Sequence, residues 1–171
     1  MSLAQLLFSF KGRIRRLYWW VASLAAGGVA AIVMAILEAA ARASGGAIID
    51  PDTQQIEPTG LFGVAMSVVG LANMWIAFAL SVKRLHDRDR SGWWLLWQLL
   101  IVFLAVVLII VAIAVPQEQG VVRYALAVAV GLAAAVISIW LFVQIGFLRG
   151  TQGPNRFGPD PLGAARDDAK L

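Results

Sequence analysis

The sequence predicts an all-α membrane protein: a bundle of four transmembrane helices with both termini in the cytoplasm and a short interfacial helix at the N-terminus. Of its 171 residues, 60% are hydrophobic and 14% are charged, whereas soluble domains have roughly 45–50% apolar and 25% charged residues. The apolar residues form four long runs, and lysine and arginine concentrate in alternate connections between them. These three observations exclude an ordinary soluble fold.

The N-terminal segment, residues 1–16, precedes the first apolar run. Leu3, Leu6, Leu7 and Phe10 recur at helical spacing just before a basic cluster, a pattern typical of a helix lying on the membrane surface. A frayed hydrophobic terminus is the alternative.

The transmembrane domain, residues 17–148, contains the four apolar runs. They predict spans at about 17–41, 61–82, 93–115 and 124–148. Each exceeds the roughly 20 residues that cross a hydrocarbon layer of about 30 Å as a helix. A helix also satisfies every backbone polar group internally, which the lipid interior requires. The third connection, Pro116 to Arg123, is short, and residues 149–171 form the C-terminal tail.

The distribution of positive charge predicts the orientation. Lysine and arginine flanking the membrane accumulate on the cytoplasmic side. Only Arg42 and Arg123 lie on the predicted outer side, and the remaining twelve cations fall in the N-terminal segment, the middle connection and the tail. An even number of spans places both termini in the cytoplasm, and we expect a bacterial inner membrane.

Polar side chains are few within the spans. Asn73, Gln98 and Gln144 are expected to form hydrogen bonds between helices. No Asp, Glu, Lys, Arg or His occurs within residues 17–37, 61–82, 93–115 and 124–148, although ion and proton pathways usually need an ionisable group at depth. Glu38 lies at the outer margin of the first span. A single chain is therefore a poor conduit.

Three segments on the predicted cytoplasmic side carry the most distinctive motifs: FSFKGRIRRLYWW, KRLHDRDRSGWW and GTQGPNRFGPDP. Together, and in this order, they resemble the bacterial inner-membrane family called domain of unknown function 805. The resemblance implies a small four-span membrane protein and no established activity. Asp89 departs from it, because many relatives are expected to have glycine there.

These segments supply the candidate site. Arg13 and Arg16 lie three residues apart, so their planar guanidinium groups could grip one phosphate; the alternative is a positively charged anchor within an aromatic belt. His86 beside Asp87 could form an oriented acid/base pair, or the aspartates could offset neighbouring arginines in a turn that ends at a Ser91 cap. The glycines and prolines of the tail predict turns that either clasp the bundle or share in a ligand site.

The residues predicted to bind an anionic headgroup combine cations with nearby polar and aromatic groups. They are Arg13, Arg16, Arg84, His86, Asp87, Arg90, Trp93, Asn155 and Arg156. No catalytic residue and no cofactor is assigned. No metal site is assigned either, because the single histidine and the absence of cysteine leave too few ligands.

The leading functional hypothesis is a non-enzymatic binding or accessory protein with a cytoplasmic site for anionic lipid or a membrane partner. An oligomeric small transporter or channel is one alternative, and a membrane-embedded lipid-modifying enzyme using His86 and Asp87 is another. The expected partners are the bilayer, anionic phospholipid, a second copy of the chain or a membrane protein. Nucleic acid is not expected, because in so apolar a chain the nearest polyanion is the lipid surface.

Overall fold

The computed structural model describes residues 2–49, 56–114 and 120–163, and this part of the chain is mostly helical. A short helix, α1 (Leu3–Phe8), precedes α2 (Arg16–Ser44), α3 (Gly60–Asp87), α4 (Trp93–Ala114) and α5 (Gly120–Gly146). The last four are long and apolar enough to cross a membrane, which confirms the four predicted helices. Most of their large apolar side chains are exposed, as expected for surfaces that face lipid.

The short helix α1 forms where the sequence predicts it. Ser2 caps it: the Ser2 hydroxyl accepts from the Gln5 backbone N–H at 3.2 Å, and the Gln5 side chain accepts from the Ser2 N–H at 3.0 Å. This reciprocal pair satisfies two backbone donors that a helix start leaves open. Leu3, Leu6 and Leu7 line one apolar cavity of about 570 Å³ together with residues of α2 and α3. Three of the four residues of the predicted apolar face therefore lie on α1, and Phe10 lies beyond its end.

The connection between α2 and α3 contains a short β-ribbon where the sequence predicts only a loop. Strand β1 (Ala47–Ile49) pairs antiparallel with β2 (Ile56–Pro58), and Ile48 lies opposite Glu57. Gly45, with φ of +70°, ends α2 in a left-handed conformation that glycine adopts without steric cost. The description all-α is therefore correct for the spans and incomplete for this connection. The predicted loop residues Asp50, Pro51 and Asp52 lie outside the described residues, as do residues 116–119 of the predicted connection from Pro116 to Arg123. The rest of that connection is helical, because α5 begins at Gly120.

Two compact units make up the chain. The first comprises Met1–Phe10 with Leu17–Leu80, and the second comprises Lys11–Arg16 with Ser81–Leu171. In the first unit, the Trp75 indole N–H donates to the Phe8 carbonyl at 3.4 Å, and its ring meets Phe10 edge-on at 5.0 Å. These contacts hold the end of α1 against α3.

In the second unit, α4 packs against α5 through small side chains. Ala105 and Ala112 of α4 and Ala127 and Ala134 of α5 are buried, as expected where helices approach closely within lipid. The Gln98 amide donates to the Ser138 hydroxyl, which confirms the predicted interhelical role of Gln98. Gln144 is also buried on α5, but among the described residues its side-chain oxygen accepts no hydrogen bond, so the structure does not show the predicted interhelical role of Gln144.

The third helix extends beyond the predicted end of its span. The charge-free run ends at Val82, but α3 continues to Asp87, so Lys83–Asp87 is helical and the connection to α4 is shorter than predicted. Lys83, Arg84 and Asp87 are all buried. Tertiary contacts in the second unit satisfy the charged groups, and a run of charge in the sequence does not reveal those contacts.

Candidate functional site

The candidate site begins where α3 ends. The Arg90 N–H donates to the Leu85 carbonyl at 2.9 Å, and the Asp89 N–H donates to the His86 carbonyl at 3.0 Å. These two bonds define a Schellman motif, whose reversing residue usually is glycine. Asp89 occupies that position with φ of +56°. The residue that departs from the expected family pattern therefore sits where the backbone favours glycine.

Asp87, in the last turn of α3, is the centre of a buried ionic cluster. One carboxylate oxygen accepts from Arg13 Nη2 at 3.1 Å and from Arg13 Nε at 3.3 Å. The other oxygen accepts from Arg84 Nη1. The arginine side chains are each 1% exposed and the Asp87 side chain is 6% exposed. We call Arg13, Asp87 and Arg84 the ionic cluster.

Arg13 fastens the tail to this cluster. Its Nη1 donates to the Gly153 carbonyl at 2.8 Å and the Gly158 carbonyl at 3.2 Å, and its Nη2 donates to the Thr151 carbonyl at 2.8 Å. Together with the bonds to Asp87, these contacts use all five guanidinium donors. Arg13 is therefore placed as a clasp between α3 and the tail, and its donors are not presented to a ligand.

Gly150 lets the tail approach Asp87. A β-carbon at this position would lie 2.0 Å from Asp87 Oδ2, which is far inside van der Waals contact. The next residue continues the contact, because the Thr151 N–H donates to the Asp87 carbonyl at 2.8 Å. Glycine is therefore required here by close packing, a different reason from the turn chemistry predicted from the sequence.

Arginines also satisfy carbonyl groups in the last turn of α5 and just beyond it. Arg84 Nε donates to the Ile145 carbonyl at 2.8 Å, and Arg84 Nη2 donates to the Leu148 carbonyl. Arg16 Nη1 donates to the Phe147 carbonyl at 3.2 Å. The last carbonyls of a helix lack partners within it and carry partial negative charge. These cations therefore stabilise the end of α5.

His86 does not pair with the Asp87 carboxylate. Its Nδ1 lies 3.3 Å from the Gly12 carbonyl, and its ring stacks on Phe157 at 3.9 Å with an interplanar angle of 4°. The Asn155 amide donates to the His86 carbonyl at 2.9 Å. The predicted acid/base pair is therefore not formed, because both Asp87 oxygens accept from arginine and the imidazole faces other groups.

The other predicted site residues lie elsewhere in the second unit. The Arg90 guanidinium packs over Trp94 at 5.0 Å and over Trp140 at 5.2 Å. Arg156 pairs with Asp89 at 3.2 Å on the surface. Trp93 is 67% exposed at the start of α4.

A basic cavity of about 260 Å³ adjoins the ionic cluster. Its lining combines four arginines and two aspartates with residues of the tail: Arg15, Arg16, Arg84, Asp87, Arg149, Gly150, Thr151, Asp160, Pro161 and Leu162. Of the predicted site residues, Arg16, Arg84 and Asp87 line this basic cavity. Arg13, His86, Arg90, Trp93, Asn155 and Arg156 are not among its lining residues.

Sequence reasoning missed two of the cavity arginines, Arg15 and Arg149. Arg15 belongs to the same basic cluster as Arg13 and Arg16, and Arg149 belongs to the positive charge that follows the last predicted span. The signal in the sequence is weak, since each is one cation among twelve on the predicted cytoplasmic side.

Comparison with known proteins supports the resemblance drawn from the motifs. The family model described as Protein of unknown function (DUF805) matches residues 7–159. The chain belongs to the DUF805 family. It is 32% identical over 163 residues to the Uncharacterized protein YiiR of Escherichia coli strain K12, covering 94% of this chain and 90% of that protein. The YiiR protein of Escherichia coli O157:H7 gives the same identity and coverage. No solved structure gives a significant match.

The structure gives the three DUF805 motifs a common location. Arg13 comes from the first motif, Asp87 from the second and Gly153 from the third, and hydrogen bonds join them in the second unit. The motifs therefore meet around the ionic cluster, although 140 residues separate Arg13 from Gly153.

Proposed function

We propose that this DUF805 protein is a non-enzymatic binding or accessory protein of the bacterial inner membrane, and that its basic cavity binds an anionic lipid headgroup at the cytoplasmic face. The observation that carries the proposal is the lining of the cavity, where Arg15, Arg16 and Arg149 surround a space of about 260 Å³. The proposal replaces Arg13 with Arg15 and Arg149 as the cations that contact the ligand.

The charge of the lining favours an anion. Four arginines and two aspartates give the cavity a net formal charge of +2. Asp87 offers little negative potential to a ligand, because Arg13 and Arg84 both bind its carboxylate. A basic side chain near an anionic leaflet contributes about 1 kcal/mol of attraction. Three such arginines would contribute roughly 3 kcal/mol, which corresponds to about a hundredfold in affinity.

The proposed orientation places this cavity in the cytoplasm together with both termini. Twelve of the fourteen cations fall on that side by the positive-inside rule. We further propose that α1 lies on the inner leaflet, since Leu3 is 70% exposed and Phe8 is 54% exposed although both are apolar.

The absence of cysteine permits a direct test of orientation. Single cysteines would replace Glu57, in the ribbon between α2 and α3, and Arg156, in the tail. A membrane-impermeant maleimide added to intact spheroplasts should label the cysteine at position 57 and reach the one at position 156 only after lysis. The reverse pattern would refute the orientation.

Lipid retention tests the binding proposal. The Arg15→Gln/Arg16→Gln/Arg149→Gln variant and the wild type would be purified in mild detergent, and the bound lipids quantified by mass spectrometry. We expect the triple variant to lose most of the anionic phospholipid that the wild type retains. Arg156→Gln is the matched control, because it removes a cation of the same tail that does not line the cavity. Equal lipid retention by wild type and triple variant would overturn the proposal.

A further inference from the structure

We propose that the basic cavity selects a terminal phosphate, that is, a phosphate monoester in preference to the phosphodiester of ordinary phospholipids. This inference rests on the proposed function, because it specifies the anionic group that the cavity binds. It concerns the chemistry shared by a lipid with a terminal phosphate and a soluble phosphate monoester.

The net charge of the cavity is the first argument. The lining carries +2 after its two aspartates are counted against its four arginines. A phosphate monoester carries about −1.5 to −2 at neutral pH, whereas a phosphodiester carries a single negative charge. A monoester therefore neutralises the lining more completely. Arg84 is included in this sum, and its Nε, Nη1 and Nη2 already donate to protein oxygens.

The second argument concerns the guanidinium N–H groups of Arg16 and Arg149 that can donate to a ligand. Arg16 uses Nη1 for the Phe147 carbonyl, and a guanidinium has five N–H groups, so most of its donors can face a ligand. Arg149 is exposed, and among the described residues its guanidinium makes no ion pair. Arg15 also lines the cavity and contributes a third positive charge there.

The geometry of arginine favours an ion with several free oxygens. A guanidinium binds phosphate by two parallel hydrogen bonds, each to a different oxygen. A terminal phosphate has three free oxygens and a diester has two. Arg16 and Arg149 can therefore bind different pairs of oxygens on a monoester, whereas on a diester both would have to share the same two oxygens.

The remaining wall is formed by the tail, which limits the size of the ligand group. Asp160 is held there by its carboxylate, which accepts from the Gly153 N–H and the Leu162 N–H, each at 2.9 Å. Because a carboxylate accepts hydrogen bonds and repels anions, this side of the cavity disfavours a second anionic group. The positions of these charges therefore favour a ligand with a single phosphate group, bound on the arginine side of the cavity.

Binding to defined nanodiscs tests the inference. Full-length protein, delipidated in detergent, would be titrated with phosphatidylcholine nanodiscs that contain either phosphatidic acid, a monoester, or phosphatidylglycerol, a diester, at equal mole fraction. We expect phosphatidic acid to bind about two- to fivefold more tightly, because a monoester carries about 0.5–1 more negative charge than a diester. Arg149→Gln should reduce this preference, and Arg156→Gln should leave it unchanged.

A competition arm identifies the source of the phosphate. Glycerol 3-phosphate and inorganic phosphate would be added to the phosphatidic acid titration. Displacement at concentrations comparable to the lipid would support a soluble phosphate monoester, and resistance to displacement would support a lipid headgroup. Either result agrees with terminal phosphate recognition.

Two results would overturn the inference. Equal binding of both lipids that is lost in Arg149→Gln would leave the proposed anionic site in place and remove its selectivity for monoesters. A preference for phosphatidic acid that persists in the Arg15→Gln/Arg16→Gln/Arg149→Gln variant would show that the selectivity originates outside the cavity. Absence of binding to either lipid would overturn both the inference and the proposed function.

Discussion

The change Asp87→Asn should destabilise this protein far more than the same change two residues later. Asp87 accepts from Arg13 at 3.1 and 3.3 Å and also from Arg84, and all three side chains are nearly inaccessible to solvent. Asparagine keeps the shape of aspartate but leaves two buried guanidinium ions without their counter-charge. Removal of one partner from a buried ion pair costs about 3–5 kcal/mol.

Asp89→Asn is the matched control. Asp89 also pairs with an arginine, at 3.2 Å from Arg156, but the two side chains are 48% and 61% exposed. Ion pairs in water contribute about 0–1 kcal/mol. The two variants therefore have the same chemical change and the same net charge, and they differ in the burial of the pair.

Thermal unfolding in detergent micelles, followed by the fluorescence of the seven tryptophans, measures the difference. For a domain of 150–250 residues each kcal/mol shifts the melting temperature by about 2–4 °C, so Asp87→Asn should melt roughly 6–20 °C below the wild type. A double-mutant cycle with Arg13→Gln should give less than the sum of the two single losses, because the residues share one interaction. If Asp87→Asn and Asp89→Asn have the same melting temperature, the ionic cluster does not stabilise the fold.

Two further predictions use the same melting assay. Gly150→Ala should lower the melting temperature about as much as Asp87→Asn does, because the new β-carbon would lie 2.0 Å from Asp87 Oδ2. Gly27→Ala is the control and should have little effect, because no atom lies within 4 Å of its new β-carbon. Equal melting temperatures of the two alanine variants would contradict the close approach of Gly150 to Asp87. Asp89→Gly should preserve stability or raise it by up to about 1 kcal/mol, since φ of residue 89 is +56°. Asp89→Val should lower stability, because a β-branched side chain resists this conformation. A valine variant more stable than the glycine variant would refute the assignment of the Schellman motif.

The ends of the helices show what the local sequence pattern can and cannot predict. The four apolar runs predicted four long helices because crossing lipid requires about 20 apolar residues whatever the tertiary contacts. The end of α3 was predicted at Val82 and lies at Asp87, because the charged residues that follow the run find buried partners. Those partners lie far along the chain: Arg13 is 74 residues from Asp87.

The candidate site shows a similar division. Arg13 was predicted to bind phosphate because its planar fork matches a bidentate anion, but the same fork matches a carboxylate and backbone carbonyls, and the structure pairs it with Asp87 and the tail. Arg149 had no distinguishing motif in the sequence, yet it lines the basic cavity.

The sequence by itself determined the family and four helices long and apolar enough to cross a membrane, because length, hydropathy and motif order are properties of the chain. Only the tertiary structure decided which arginines bind other groups of the protein in its interior and which line a cavity. Arg13 and Arg149 have the same side chain, and their difference is that Arg13 meets Asp87 at 3.1 Å in the interior while Arg149 remains exposed at the end of α5. Burial and the position of a partner distant in sequence set the role of a charge, and neither is encoded in its neighbours along the chain.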